Sequence, residues 1–366
     1  MKAKVMNRSF EGLRGVAALL VVLYHVPHLH AFSLFKAGYL AVDLFFVLSG
    51  FVMSMNYVGH LQSTADVRDF AIARIARLMP LLIASYALYF LIANAVALTD
   101  GERWLLPSVA DLMATFSMTF GLGLPHVIVY NFASWSISTE FYNYLIFALL
   151  CLLLQGRRRR RAYAFLILSL VAGGFVLAID LVHHCGHGKA CLDNVASPGA
   201  MVRCTFGYFA GCFAFDLSKR PAVVARLSHP LVSIVLALSL VYAVCLSTRY
   251  GLAAFGVPVL SALLIVSLST DAGPVSVLLQ TPAPQALGRL SYSLYLMHMP
   301  LLLIFERRLS EASGLAFVAE LALFLIALLM AAQATFRLVE HPGRKFILRR
   351  FAGLPRSPEP AATTQA

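Results

Sequence analysis

The sequence predicts an all-α polytopic membrane protein of about ten transmembrane helices. Both termini are cytoplasmic, and an interfacial helix lies in the loop 99–133. Three observations carry this prediction. Hydrophobic residues make up 60% of the 366 and charged residues 13%, against roughly 25% charged in a soluble domain. The apolar residues fall into runs long enough to cross a hydrocarbon core, about 20 residues per helix. Lys and Arg gather at the ends of those runs, so the formal charge of +12 reports topology and argues against a nucleic-acid partner.

The runs are 12–30, 38–57, 80–98, 134–155, 162–182, 203–218, 231–247, 251–270, 289–306 and 315–338. The segment 109–124 is apolar enough to tempt an eleventh span, and charge decides against it. With 99–133 outside, Lys and Arg divide 22 inside against 7 outside; an extra span would carry the five arginines 157–161 to the outside. Lys2, Lys4 and Arg8 ahead of the first run imitate a signal peptide, but no small-residue cleavage site follows, which predicts a retained helix. The expected organisation is one integral-membrane domain, 1–345, anchored in membrane lipid, and a disordered cytoplasmic tail, 346–366. No internal repeat is evident, which weighs against a secondary transporter.

Four cysteines, Cys151, Cys204, Cys212 and Cys245, lie in or beside apolar runs and read as packing residues. Cys185 and Cys191 share the loop 183–202 with His183, His184 and His187, where a disulfide is favoured over a metal site.

Polar groups inside spans are costly, and each is a functional hypothesis. Arg14 and His25 stand eleven residues apart on the first span. At about 100° per residue they share a helix face, about 16 Å apart along the axis. An imidazole is suited to accept a proton near neutral pH, although a structural His bonded to a neighbouring helix would look the same. Ser291, Tyr295 and His298 form one stripe on the ninth span, and Ser136, Glu140, Asn143 and Tyr144 share a face of the fourth. On the second span Asp43 precedes Ser49 and Gly50. Four polar faces at overlapping depths imply a site. Arg74 and Arg77 share a face of a short interfacial helix, with Pro80 opening the next span. Such a pair can grip phosphates, and lipid headgroups make the same demand. The run 157–161 is a topology anchor, and Glu340-His-Pro342 with Arg344 and Lys345 closes the last span, where it either orders the exit of the chain toward a cytoplasmic ligand or serves as stop-transfer charge.

Read together, these residues resemble the membrane-bound acyltransferase-3 family of carbohydrate O-acyltransferases. The motifs are Glu11-Gly-Leu-Arg-Gly15 through Tyr24-His25, Gly38-Tyr-Leu-Ala-Val-Asp43 through Gly50-Phe51, and Arg74-x-x-Arg77-Leu-x-Pro80. Trp135-Ser-Ile-Ser-Thr-Glu140-Phe-Tyr142 and Gly288-Arg-Leu-Ser-Tyr292 through His298-Met-Pro300 follow in the family's order. The resemblance runs from about 7 to 345. It implies an acyl-CoA donor, acetyl-CoA first, arriving from the cytoplasm, a carbohydrate acceptor, and no metal. It implies a role for His25 in acyl transfer with Arg14 as its motif partner, and for Arg74 and Arg77, with Arg14 nearer the coenzyme entrance, at the coenzyme phosphates. Asp43, Glu140 and His298 match further characteristic positions; Glu140 or Asp43 is a candidate to orient His25. Some members carry an appended periplasmic hydrolase-like domain. Only 26 residues follow Glu340, so a form without it is expected, acting directly or through a separate periplasmic transferase. The implied location is a bacterial inner membrane. A proton-coupled transporter using the same His, Asp and Glu residues as a relay is the rival reading.

Overall fold

The computed structural model describes residues 7–351 except 100, 102, 105, 124–130 and 184–198, with backbone alone at 180–183. Cys185, Cys191, His184 and His187 lie outside the described residues.

The apolar runs fold as helices, and no strand occurs among the described residues. In order they are α1 (Arg8–Tyr24), α2 (Ser33–Lys36), α3 (Ala41–Tyr57), α4 (Thr64–Thr99), α5 (Val109–Ser117), α6 (Trp135–Leu153), α7 (Arg158–His183) and α8 (Gly199–Leu217). Then come α9 (Pro221–Leu227), α10 (Pro230–Ser247), α11 (Gly256–Leu268), α12 (Pro274–Leu279), α13 (Pro282–Glu311), α14 (Gly314–Thr335) and α15 (His341–Phe351). Local chemistry sets several ends. Asn7 caps α1 by accepting the Phe10 N–H, and α1 stops at His25, two residues before Pro27. A Ser108/Asp111 capping box starts α5. With nine residues, α5 is only about 14 Å long, too short to cross and consistent with the expected interfacial helix.

Among the described residues, seven stretches are long and apolar enough to span a membrane on their own: Gly38–Tyr57, Thr64–Thr99, Phe132–Leu153, Arg158–Ile179, Pro230–Ser247, Gly251–Leu268 and Gly314–Phe351. The expected spans that fall outside this set are those on α1, α8 and α13. These carry Arg14, Arg203, Asp216, Arg289 and Glu306, and they pack tightly against other helices. Protein supplies the partners that lipid would not. The apolar window of α3 is 72% buried and that of α14 is 17% buried, so α3 is interior and α14 faces outward.

Two close crossings build the interior. At α3/α8, a Cβ on Gly50 would lie 1.8 Å from the Tyr208 carbonyl oxygen, and one on Gly211 1.8 Å from that of Val47. At α1/α13, a Cβ on Gly288 would lie 2.1 Å from the Glu11 carbonyl oxygen, and one on Gly15 2.5 Å from the Gly288 nitrogen. Without a hydrophobic drive between helices in lipid, such backbone approach is a main source of association. Gly288→Ala is therefore expected to push α1 and α13 apart, destabilising the protein by about 1–3 kcal/mol or more. Gly174→Ala, where nothing lies within 4 Å, should be tolerated. Thermal unfolding of both variants in detergent checks this, and equal melting temperatures would remove the close-packing argument.

Three sequence expectations change. Pro80 does not open a helix; α4 runs through it for 36 residues, so Arg74 and Arg77 ride on the same rod as the third span. That rod is about 54 Å long, well beyond a core of about 30 Å, and its charged part projects beyond the apolar stretch. The chain stays helical past 345, because α15 packs on α4 where Gly343 meets the Pro80 ring. Arg203, counted as an outside charge, is buried within the bundle.

Candidate active site

Helices α1, α3, α4, α6, α13 and α15 enclose a cavity of ≈ 190 Å³ whose lining includes Arg14, Arg74, Arg77, Arg344, Glu140 and Tyr144. Each arginine is set there by a different feature. Arg14 sits on α1 beside the Gly15/Gly288 crossing. Arg74 is buried within 5.3–5.7 Å of the Tyr57, Phe70 and Tyr144 ring centroids and donates to the Tyr57 hydroxyl at 2.9 Å. Arg77 lies over the Tyr292 ring at 4.9 Å and forms an ion pair with Glu340. A single π-helical turn, Phe336–Glu340, ends at Glu340, which is buried and also accepts from the Ser293 hydroxyl at 2.9 Å. Such turns recur at functional sites. The following helix, seated by Gly343, brings in Arg344.

The like charges of Arg14, Arg344 and Arg74 all act on Arg77. Four guanidiniums with Glu340 and Glu140 as counter-charges leave an excess of positive charge. Like charges about 4 Å apart repel by about 4 kcal/mol at an effective dielectric of about 20. The cavity therefore favours a multiply charged anion, and guanidinium forks match phosphate oxygens. Glu140 accepts from the Tyr144 hydroxyl at 2.7 Å, and that hydroxyl also meets Ser49 at 3.1 Å.

A second pocket of ≈ 40 Å³ adjoins the first. Its lining includes Tyr24, His25, Tyr39, Trp135 and Arg203. Val42 and Tyr295 line both. His25 is the residue at which α1 ends, and its Nδ1 lies 2.9 Å from the Val21 carbonyl oxygen. A carbonyl can only accept, so Nδ1 carries the proton and the neutral ring keeps its lone pair on Nε2. His298, fully buried, repeats the arrangement with the Tyr295 carbonyl at 2.6 Å. Its Nε2 has no hydrogen-bond partner among the described residues. The two imidazole centroids are 4.8 Å apart.

The structure thus sorts the sequence candidates into two groups. Arg14, Arg74, Arg77 and Glu140 share the arginine-lined cavity; His25 and His298 meet beyond Val42 and Tyr295. Neither Glu140 nor Asp43 orients His25: its Nδ1 goes to its own helix, Glu140 lies in the other compartment, and Asp43 is committed elsewhere. Both Asp43 oxygens accept from Arg203, at 2.8 and 2.9 Å, with both side chains almost wholly buried. Sequence reasoning missed Arg203, and Glu340 and Arg344 stayed ambiguous with stop-transfer charge. A signal for the first existed: one Asp and one Arg near the ends of different apolar runs, each needing a partner.

A family model described as an acyltransferase domain matches residues 7–336. The chain belongs to this acyltransferase family. Among its relatives is BcsY of Komagataeibacter xylinus, described as a membrane-bound transacylase. It is 26% identical, over 93% of this chain and 83% of that protein. The O-acetyltransferase OatA of Staphylococcus aureus (strain MRSA252) is 24% identical over 97% of this chain and 60% of its own length. The peptidoglycan O-acetyltransferase OatA of Listeria monocytogenes is 24% identical over 92% of this chain and 56% of its own length. The chain therefore spans under two thirds of the OatA proteins. No solved structure matches it. Family membership leaves the transporter reading of the buried ionisable residues without support.

Proposed function

We propose that the protein moves an acyl group, acetyl, from acyl-CoA on the cytoplasmic side of a bacterial inner membrane. The acceptor is a hydroxyl of a cell-envelope or lipid-linked carbohydrate. The observation that carries this reading is the junction of an arginine-lined cavity with a histidine pocket across Val42 and Tyr295. The first suits the phosphates of the coenzyme, the second suits proton transfer, and relatives named O-acetyltransferases supply the reaction class.

A thioester is already activated, so the protein has mainly to position it and deprotonate a hydroxyl. Arg74 and Arg77 hold the phosphates, with Arg14 and Arg344 adding charge. His25 Nε2 takes the proton of the acceptor hydroxyl as its oxygen attacks the thioester carbonyl. The C–O bond forms, the C–S bond breaks, and the proton passes to the departing thiolate, giving ester and free coenzyme A. His298 lies where it can share that proton. Direct transfer needs only the acceptor at the His25 pocket; a separate transferase would instead collect the acyl group there.

The paired arginines supply a test. Arg74→Lys/Arg77→Lys keeps both charges but loses the forked hydrogen bonds. Charge-assisted bonds contribute about 1.5–3 kcal/mol each, so losing one at each arginine should lower affinity for coenzyme A by about 10²- to 10⁴-fold in calorimetry on the purified protein. Unchanged affinity would return both residues to a structural or headgroup role.

A further inference from the structure

The two compartments share Val42 and Tyr295, and these side chains stand between the arginines and His25. From this geometry we infer that Val42 and Tyr295 form a rigid acyl-length gauge, which admits a two-carbon acyl group to His25 and rejects longer ones. The inference rests on the proposed transfer from acyl-CoA.

Size is the first argument. An acyl group whose carbonyl is within reach of His25 has its tail in the ≈ 40 Å³ pocket. That is about a fifth of the ≈ 190 Å³ of the arginine cavity, so each added methylene weighs heavily there. An acetyl group has three non-hydrogen atoms; a butyryl group has five.

Rigidity is the second. The Tyr295 hydroxyl donates to the Ala133 carbonyl at 2.8 Å and lies 2.7 Å from Ser136 Oγ, so the ring is tied to the start of α6. Val42 directly precedes Asp43, which the buried Arg203 holds by two hydrogen bonds. Helix α3 cannot retreat from Tyr295 because Gly50 and Gly211 already bring it into backbone contact with α8. Trp135, buried and edge-on to Phe46 at 5.9 Å, closes another wall. A close-packed wall yields little to an extra methylene. The remaining side, beside the half-exposed Phe132, is where an acceptor hydroxyl has to enter. A longer acyl chain turned that way would block the acceptor.

The test uses membrane vesicles from cells making the full chain, with their own envelope glycans as acceptor. Release of free coenzyme A is measured from acetyl-CoA and from butyryl-CoA, and vesicles lacking the protein set the background. The parent should prefer acetyl by at least about 10-fold, the usual reach of a pocket that sorts methylenes. Val42→Ala should raise the butyryl-to-acetyl ratio by about 10-fold. Tyr295→Phe, which keeps the ring but frees it from Ala133 and Ser136, should raise it by less and covers the case of a misfolded Val42 variant. Equal use of both donors by the parent, or a parental ratio in a folded variant, overturns the gauge. No release from either donor by the parent overturns the acyl-CoA reading itself, and the gauge with it.

Discussion

Replacing His25 by Ala is expected to lower acyl transfer by about 10²- to 10⁴-fold, the range that a positioned general base contributes. That is about 3–5 kcal/mol on the barrier. The imidazole donates Nδ1–H to the Val21 carbonyl, which leaves the Nε2 lone pair as the proposed proton acceptor in the pocket that Val42 and Tyr295 also line. Alanine removes that acceptor and leaves the hydroxyl's proton without a recipient. The phosphates are assigned to the other compartment, so kcat should fall while the KM for acyl-CoA changes little, the pattern of a lost transition-state interaction. Folding should survive, since His25 Nδ1 bonds its own helix at the last turn. Saturation kinetics on the purified variant, with coenzyme A binding as a check on integrity, decide the matter. Parental turnover would remove His25 from the chemistry.

Breaking the Asp43–Arg203 pair should give the largest loss of stability. The two side chains are 1% and 3% exposed. Arg203 also donates to the Tyr39 carbonyl at 3.2 Å and lies 5.4 Å from the Trp135 ring centroid and 5.6 Å from that of Tyr39. Removing one charge leaves the other buried without its ionic counter-charge, and such losses are about 3–5 kcal/mol. Asp43→Leu and Arg203→Met should each be strongly destabilised. The double variant should recover much of the loss, because no unpartnered charge remains. Unfolding in detergent, set out as a double-mutant cycle, measures the coupling. If the two single effects simply add, the pair does not act as a unit.

Sequence and structure divide the site in a consistent way. Arg14 and His25 are legible as one helix face, yet the structure places them in different compartments because eleven residues of helix separate them in depth. Arg74 and Arg77 are legible as a phosphate-type pair. The counter-charge of Arg77, Glu340, is not legible as such, since the two lie 263 positions apart and nothing local links them. Asp43 illustrates the limit most clearly. A buried carboxylate demands a partner, but the choice between His25 and Arg203 depends on α3 and α8 meeting at Gly50 and Gly211.

By itself the sequence determined the all-α membrane class, the positions of most spans, a short helix within 99–133, and the ordered motifs that tie the chain to acyltransferases. The class and the spans follow from composition, hydropathy and charge placement, all of which act within a few turns; the motifs add a family resemblance. Only the tertiary structure decided that Pro80 lies inside one long helix, that Glu340 and Arg344 return to the arginine cavity, and that Asp43 pairs with Arg203. It also decided that Val42 and Tyr295 divide the cavity from the histidine pocket. Those outcomes depend on which helices touch, and in lipid that is settled by where glycines let backbones meet and where a buried charge finds its counter-charge.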